Sequence, residues 1–438
     1  MVTPTLDETI RLYGWPKGVN NRLRQTESGL PQDSRLEHSE FLREAVNVDL
    51  TTMGQPMRRD GYTKVQAGYA HSLWSDPSLR YGLLVHEGWL SAISSEGSIT
   101  PLVQVHPYAL VSYCTVNGEV FWSNGVQSGR LTDGLPRSWG VEVPGEAVVT
   151  IDPDGDLDAG AYTVCLTYTD IFGEESGASK EVTVNVESGK LVITAPASWP
   201  DDADKVNVYA SQPNGEVLYR VNQHITAESS VLIVGKSLLG RGKELETQHC
   251  VPPKQGKIVA YNNGRIYIAR RDIVWFTEAL RYALVKPSQG LYMFPGEVDL
   301  LAVAPDGIYV GHSDPGAVVF ISGADPYDIT QFRVLSGAPV PRACAYVPGE
   351  HFSVPGDVPV WWMQTGEMVA GLPGGQIRHL SKKNLDVGTF NTGAVTYRTH
   401  EGMNQVVSSL QKGEGPLQVG ASDSAVASVR RNHIVLNQ

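Results

Sequence analysis

The sequence is poor in several things, and each shortage closes off a class of protein. It has four cysteines in 438 residues, Cys114, Cys165, Cys250 and Cys344, far apart and without a Cys-x-x-Cys pair. That is too few for a dense disulfide scaffold; individual disulfides stay open as an alternative, and buried reduced thiols made in a cytosol are the expected state. No run of 18 apolar residues is present, so no transmembrane helix and no membrane insertion are expected. The opening residues, Met1 to Glu8, carry neither a basic n-region nor an apolar h-region, so no secretory signal is expected. Basic residues are outnumbered, 35 Lys and Arg against 47 Asp and Glu, for a net charge of −12. Gripping nucleic acid requires a dense basic footprint, which this balance does not supply. An acidic wall past which DNA slides without sticking is compatible with it.

Catalytic signatures are also missing. There is no His-Glu-x-x-His, Gly-x-Ser-x-Gly, Walker loop or dinucleotide fingerprint, and the eleven histidines are scattered. No catalytic, cofactor-binding or metal-ligating residue is assigned, and the chain is expected not to be an enzyme and to need no cofactor.

What is abundant is turn chemistry. Glycine (45) and proline (27) punctuate short apolar runs, the composition of an all-β protein with many tight turns. One unit recurs: an apolar strand, a Gly-containing turn and an alternating second strand. Its clearest copies are Ala260-Tyr261-Asn262-Asn263-Gly264-Arg265-Ile266-Tyr267-Ile268-Ala269 and Ala304-Pro305-Asp306-Gly307-Ile308-Tyr309-Val310-Gly311. Asn-Gly and Asp-Gly predict type I′ hairpins, whose two central residues need positive φ. Weaker copies turn at Gly88, Gly118 and Gly366, and third strands follow at 273–277 and 317–321. Four-stranded propeller blades repeat at roughly 40–50 residues. The fold class expected is therefore all-β, a β-propeller-like core of repeated antiparallel hairpins. Unrelated hairpins in a β-sandwich are the plainer alternative.

The gap between Gly118 and Gly264 needs an insertion. Strand-like runs at 160–169, 182–186, 191–193, 205–209 and 218–221, with a turn at Asp170-Ile171-Phe172-Gly173-Glu174-Glu175-Ser176, fit a small sandwich. They resemble a fibronectin type III or immunoglobulin-like module. Setting aside about 100 residues for it brings the remaining gap into the blade range. The expected division is an N-terminal extended arm and first strands (1–65), a leading propeller segment (66–144), the inserted sandwich (145–245), a trailing propeller segment (246–410), and a C-terminal strand or tail (411–438).

Several residues invite a functional reading and a plainer one. Arg58 and Arg59 could contact phosphate, but two arginines beside a turn are more often solvated or paired. Trp74, Trp89, Trp122 and Trp139 read as core or blade-interface anchors rather than a sugar-stacking platform. Asp152-Pro153-Asp154-Gly155-Asp156-Leu157-Asp158 offers alternating carboxylates to a Ca²⁺ ion, yet misses the EF-hand spacing and reads as a solvated acidic turn. His312, Ser313 and Asp314 are adjacent in sequence, which does not place a base and its orienting group correctly. The same stretch, Ser313 to Phe320, is faintly like the aspartate turn of sialidase propellers, with its spacing off by one.

Residues Gly18-Val19-Asn20-Asn21, Leu42-Arg43-Glu44-Ala45-Val46-Asn47-Val48-Asp49-Leu50 and Arg58-Arg59-Asp60-Gly61-Tyr62-Thr63, followed by short β repeats, resemble a family of phage virion proteins. These are the tail nozzle, or packaged-DNA stabilisation (tail tubular), proteins of short-tailed phages. Strings at 264–269, 274–278 and 306–311 resemble the same family. The resemblance implies a structural virion protein: a hexameric ring below portal and adaptor at the head-tail connector, a channel for DNA ejection that also helps retain the packaged genome. It implies as partners the portal-adaptor ring, fibres or needle, and genomic double-stranded DNA passing without specific binding. It implies a place in the virion tail after assembly in the host cytoplasm. The alternative is a carbohydrate-binding or depolymerising β-propeller acting as a receptor-binding protein.

Overall fold

The computed structural model describes residues 18–22, 41, 42, 44, 45, 48–51, 55–58, 64–197, 199–226, 230–400, 402–412 and 432–437. Among them there is no α-helix. Besides three short 3-10 turns, at Lys236–Leu238, Gly349–Phe352 and Pro373–Gly375, the regular structure is strands paired antiparallel.

Strand β1 (Val48–Leu50) pairs with β2 (Pro56–Arg58). Two four-stranded meanders follow, β3 (Ala70–Trp74), β4 (Gly82–His86), β5 (Trp89–Ile93), β6 (Ile99–Gln104), then β7 (Ser112–Val116), β8 (Glu119–Ser123), β9 (Ser128–Thr132), β10 (Leu135–Arg137). Seven strands then build two sheets: β11 (Val148–Asp152), β12 (Gly160–Asp170), β13 (Val182–Val186), β14 (Lys190–Thr194), β15 (Ala203–Ser211), β16 (Leu218–Ile225) and β17 (Val231–Val234). Their orders are β11-β14-β17 and β13-β12-β15-β16. This is a three-plus-four sandwich, but its first strand bonds to its fourth, not to its second as in the immunoglobulin order.

Meanders resume with β18 (Ile258–Asn262), β19 (Arg265–Arg270), β20 (Ile273–Glu278) and β21 (Arg281–Val285), with β22 (Leu291–Met293) also on β20. Next come β23 (Val298–Ala304), β24 (Gly307–His312), β25 (Ala317–Asp325), β26 (Asp328–Ser336), and β27 (Pro339–Pro348), β28 (Asp357–Met363), β29 (Met368–Leu372), β30 (Gln376–His379). The last sheet is β31 (Thr392–His400), β32 (Met403–Gln411) and β33 (Asn432–Asn437). The C-terminal segment thus returns as a strand on β32.

The hairpins follow from local chemistry. Asn117 and Gly118 have φ of 52° and 83°, and Asn263 and Gly264 of 46° and 74°, as type I′ turns require. The Asp306-Gly307 hairpin differs from expectation. Ala304 pairs with Gly307, so the turn is Pro305-Asp306 and Gly307 is a strand residue. A Cβ there would lie 2.3 Å from the Ile321 carbonyl oxygen, so the glycine serves close strand approach instead of turn conformation.

The chain divides into two compact units, Gly68–Met293 and Met1–Ala67 with Phe294–Gln438. In the Gly68–Met293 unit three meanders stack face to face. Leu83, Val85 and Leu90 of the first meet Tyr113, Val120, Trp122 and Leu131 of the second. The second sheet's other face, Cys114, Val116 and Phe121, meets Val259, Ile266 and Ile268 of the third. Neighbouring residues therefore serve opposite cores, which is why Tyr113-Cys114 on β7 and Val120-Phe121-Trp122 on β8 are apolar in succession instead of alternating. The sandwich is inserted between the second and third meanders, yet these touch directly. Ser112 Oγ accepts the Val259 N–H at 3.0 Å, and Ser123 Oγ donates to the Gly256 carbonyl at 2.7 Å.

In the other unit, Trp361 and Trp362 show the same logic. Both are fully buried on β28, Trp361 with Tyr309 and Phe320 and Trp362 with Phe390, Val406 and Leu410. First strands β23, β27 and β31 lie side by side. Four-stranded sheets stacked face to face with first strands adjacent are blades, and the core is β-propeller-like.

Candidate functional site

The densest polar cluster lies where the sandwich meets the second blade. Arg130 lies in the middle of β9 between buried Gly129 and Leu131 and is itself buried, and Arg137 follows on β10. From the sandwich, β12 runs into the 170–176 turn, where Asp170 Oδ1 accepts the N–H groups of Phe172 (2.9 Å) and Glu174 (2.8 Å). That local capping is what an aspartate at the head of a turn does. It leaves Asp170 Oδ2 free for Arg137 Nη2 at 2.8 Å and Arg130 Nη2 at 3.8 Å. Glu174 takes Arg130 in a fork, with Nη1 at 2.7 Å and Nη2 on the other oxygen. Glu119 of β8 closes the ring, 3.7 Å from each arginine. The Phe172 ring lies under the Arg137 guanidinium, 3.3 Å from carbon to centroid.

Burial works against the Arg130 charge, but the hydrogen bond and charge of Glu174, then Glu119 and Asp170, outweigh it and hold the guanidinium above its ordinary range. Three carboxylates face two arginines, so the cluster retains one excess negative charge. Its chemistry is positional: a bidentate guanidinium–carboxylate pair fixes an orientation.

A second network lies behind it inside the sandwich. Glu175 Oε1 accepts from Thr167 Oγ1 (2.6 Å), Tyr209 Oη (2.7 Å) and Asn207 Nδ2 (3.2 Å), and Arg220 Nη2 donates to Asn207 Oδ1 at 2.6 Å. Burial first, then the Glu175 charge, pushes the Tyr209 hydroxyl up. So the three acidic residues of one turn, Asp170, Glu174 and Glu175, each have a different structural task. Sequence reading recognised the turn but not these partners, because Arg130 and Glu174 are brought together by tertiary structure alone. The one signal available was the arginine placed inside an otherwise buried strand pattern.

An open groove of about 520 Å³ runs beside this junction, lined by Val103, Trp122, Val126, Pro136, Arg137 and Gln255 among others. Arg137 is spent on Asp170, and Ser138 Oγ donates to Asp202 Oδ2 at 2.6 Å. These two groups thus serve the sandwich, while Gln127, also on the groove, accepts the His106 N–H and donates to the Gln104 carbonyl.

The other residues singled out from sequence fall as follows. Arg58 is exposed on β2, and Arg59 lies outside the described residues. Trp122 and Trp139 are core, Trp139 donating from Nε1 to the Tyr282 carbonyl at 2.8 Å. Trp74 is half-buried and stacks on Tyr113 at 5.1 Å. Trp89 departs from the core expectation: it is 43% exposed, because its position on β5 faces away from the packed side that holds Leu90.

Two of the four 152–158 carboxylates pair with lysines, Asp152 with Lys190 at 3.2 Å and Asp158 with Lys236 at 2.8 Å, and Asp156 Oδ1 accepts the Lys236 N–H at 3.0 Å. The Asp154 N–H and then Lys190 hold the Asp152 carboxyl below its usual range. Among the described residues no group of three His, Cys, Asp or Glu is placed to hold a metal ion. His312 is buried, with Nδ1 3.4 Å from the Ser313 carbonyl oxygen, while Ser313 Oγ donates to the Glu297 carbonyl. The imidazole meets backbone, not the Ser313 hydroxyl, so these neighbours form no nucleophile–base pair. His351 Nε2 lies 3.2 Å from Tyr397 Oη, which donates to Asn404 Oδ1 at 2.8 Å. That chain ends on a non-titrating amide and ties the Gly349–Phe352 turn to the β31–β32 hairpin.

The Gly-Val-Asn-Asn segment is anchored within its unit. Val19 forms a parallel bridge with Leu42. Asn21 Nδ2 donates to the Asp386 carbonyl at 2.8 Å and Asn21 Oδ1 accepts the Asp386 N–H at 2.7 Å. Arg22 Nε donates to the Leu385 carbonyl at 2.8 Å.

Comparison with protein-family models finds no match, and comparison with curated proteins finds none. Among solved structures, a streptogramin B lyase matches with a TM-score of 0.33 at 9% identity, over 77% of this chain and 89% of that one. A virginiamycin B lyase from Staphylococcus aureus matches at 0.31 and 11% identity, over 77% and 90%. The WD40 domain of Neurospora crassa Pan2 matches at 0.27 and 12%, over 77% and 86%. Likeness this loose carries no argument, and the blade assignment stands on strand pairing and core packing.

Proposed function

We propose that this chain is a structural virion protein, a subunit of the tail-nozzle ring of a short-tailed phage. It would assemble in the host cytoplasm below portal and adaptor and lead the genome out through its lumen. The observation that carries this reading is the anchoring of the Gly-Val-Asn-Asn segment. The motif on which the resemblance begins is spent on holding two distant segments of the one chain together, through the two-way amide pairing of Asn21 with Asp386. The polar clusters of the sandwich point the same way, since their arginines and carboxylates orient a module and none forms a nucleophile–base pair. The net charge of −12 suits a channel that duplex DNA traverses without being held.

The test is assembly. Purified chain, alone and mixed with the portal-adaptor complex of its virion, is examined by native mass spectrometry and negative-stain imaging. A six-fold ring with an axial hole wide enough for duplex DNA is expected. A monomer or trimer that never joins the tail axis and instead degrades polysaccharide would overturn the reading in favour of a depolymerising receptor-binding propeller.

A further inference from the structure

Outside the junction, the first blade of the Gly68–Met293 unit carries a row of rings at one end, exposed at His106 and Tyr108 and half-buried at Tyr69 and His71. Tyr69 and His71 enter β3, and His106 and Tyr108 stand on the loop from β6 to β7. Ring centroids are 5.5 Å apart for Tyr69–His71, 5.8 Å for Tyr69–Tyr108 and 6.3 Å for His106–Tyr108. Tyr108 is 65% exposed and His106 is exposed beside it, with Leu110 next along the loop. An exposed loop normally holds such rings loosely. Here its backbone is pinned at almost every residue.

The Val105 N–H reaches the Gly88 carbonyl at 2.9 Å, and the His106 N–H reaches Gln127 Oε1 at 2.7 Å. The Pro107 carbonyl, which can only accept, lies 2.9 Å from His71 Nε2, so that nitrogen carries a proton. His71 Nδ1 lies 2.8 Å from Ser72 Oγ, which itself accepts the Val111 N–H at 2.9 Å. Ser72 holds a left-handed φ of 54° inside an irregularity of β3, where pairing to β4 slips between His71 and Trp74. A non-glycine residue in that region is unusual, and strand irregularities re-aim side chains next to sites. The slip brings His71 onto the loop that carries Tyr108.

We infer that the exposed end of this row, Tyr108 with His106, braced by Tyr69 and His71, is a stacking site for a pyranose ring of a neutral saccharide. Neighbouring rings of the row are tilted to one another by 54–71°. Rigid tyrosines bind at low entropic cost because few rotors are left to freeze, and a pinned loop lowers that cost further. A chain of net charge −12 selects against phosphate-bearing ligands, whereas a neutral sugar meets no such penalty. His71 spends both ring nitrogens on the loop and on Ser72, so the polar partners for sugar hydroxyls are the Tyr108 hydroxyl and His106 Nε2, whose Nδ1 accepts the Tyr108 N–H at 3.4 Å. This inference is independent of the nozzle reading: a ring subunit and a monomer alike could present the row.

The experiment is saturation-transfer NMR and titration calorimetry of the full chain with maltohexaose, cellohexaose and a galacto-oligosaccharide, with a dT10 oligonucleotide as a parallel probe. Saturation transfer to at least one oligosaccharide is expected. Tyr108→Ala should weaken that binding about tenfold or more, roughly the 1.4 kcal/mol that a tenfold change represents. Because Tyr108 is largely exposed, the variant should melt as the parent does, and Tyr108→Phe should keep most of the affinity. Failure of all three saccharides to bind at millimolar concentration would overturn the assignment. So would unchanged binding by Tyr108→Ala, or dT10 binding lost on Tyr108→Ala in place of saccharide binding.

Discussion

Asn21 and Asp386 face each other across 365 residues of sequence and exchange two hydrogen bonds, amide to carbonyl and N–H to amide oxygen. A primary amide is the one side chain that can imitate a backbone partner in this way, giving and accepting at once. The motif asparagine is therefore read structurally as a missing strand residue supplied by a side chain.

Replacing it tests that reading. Asn21→Ala removes both bonds at a partly exposed site and should cost about 1 kcal/mol, within the usual worth of a hydrogen bond. Asn21→Asp keeps the acceptor for the Asp386 N–H but sets a carboxylate against its carbonyl, so it should be no better than alanine. Chemical denaturation with amide exchange at Asp386 reads both. Unchanged protection there in Asn21→Ala would remove the anchoring role.

The mount of the sandwich should respond in a set order. Arg130 is almost wholly buried and faces three carboxylates, so Arg130→Ala should cost about 3–5 kcal/mol, the usual penalty for orphaning buried charge. Glu174→Gln, at a side chain 39% exposed, should cost far less after solvent screening. Limited proteolysis of the 235–257 connection reports the same order. Equal effects from the two variants would deny the network its asymmetry.

Trp362 couples two sheets through its indole, which donates to Ser408 Oγ at 2.8 Å. Trp362→Ala should cost about 3–5 kcal/mol by cavity formation. A double-mutant cycle of Trp362→Phe with Ser408→Ala should return a coupling of about 1 kcal/mol for the hydrogen bond. Additive effects would show that packing alone holds the pair.

The cysteines set a pH limit. Burial pushes the thiol of Cys250 up to about 11 and those of Cys165 and Cys344 up to about 12. A thiol raised above its unfolded value keeps its proton in the folded state, so its contribution is complete below the unfolded pKa of about 8.5. That contribution is lost as pH climbs toward 11 and 12. Urea midpoints should therefore fall between pH 8 and pH 10.5, and thiol reagents at pH 8 should reach the buried Cys114, Cys165 and Cys250 only on unfolding, with half-buried Cys344 the first to react. Rapid labelling of those three in native protein would contradict the burial.

Much of the scaffold is legible in the sequence because hairpins are decided locally. Asn117-Gly118 and Asn263-Gly264 announce their turns, since the steric demand is met within two residues. The Pro305-Asp306 turn is misplaced by one residue because Asp-Gly carries the same signal when its glycine is needed for strand approach. The alternation in 160–169 points to a sandwich, yet the order β11-β14-β17 does not follow from it, for strand partners are chosen by tertiary closure. Least legible are the clusters: nothing local to Arg130, Glu119 or Glu174 says that they meet, and nothing local to Tyr108 says that it stays outside.

The direct contacts of Ser112 with Val259 and of Ser123 with Gly256 close the second and third blades beneath the sandwich. The module thus enters and leaves at one seam that is already sealed without it. Such a seam is a graft point in evolution: an appendage can be gained, exchanged for another or lost while the blades keep their neighbours. The Arg130–Arg137 socket and the Ser138–Asp202 contact would have to be retuned for each new tenant.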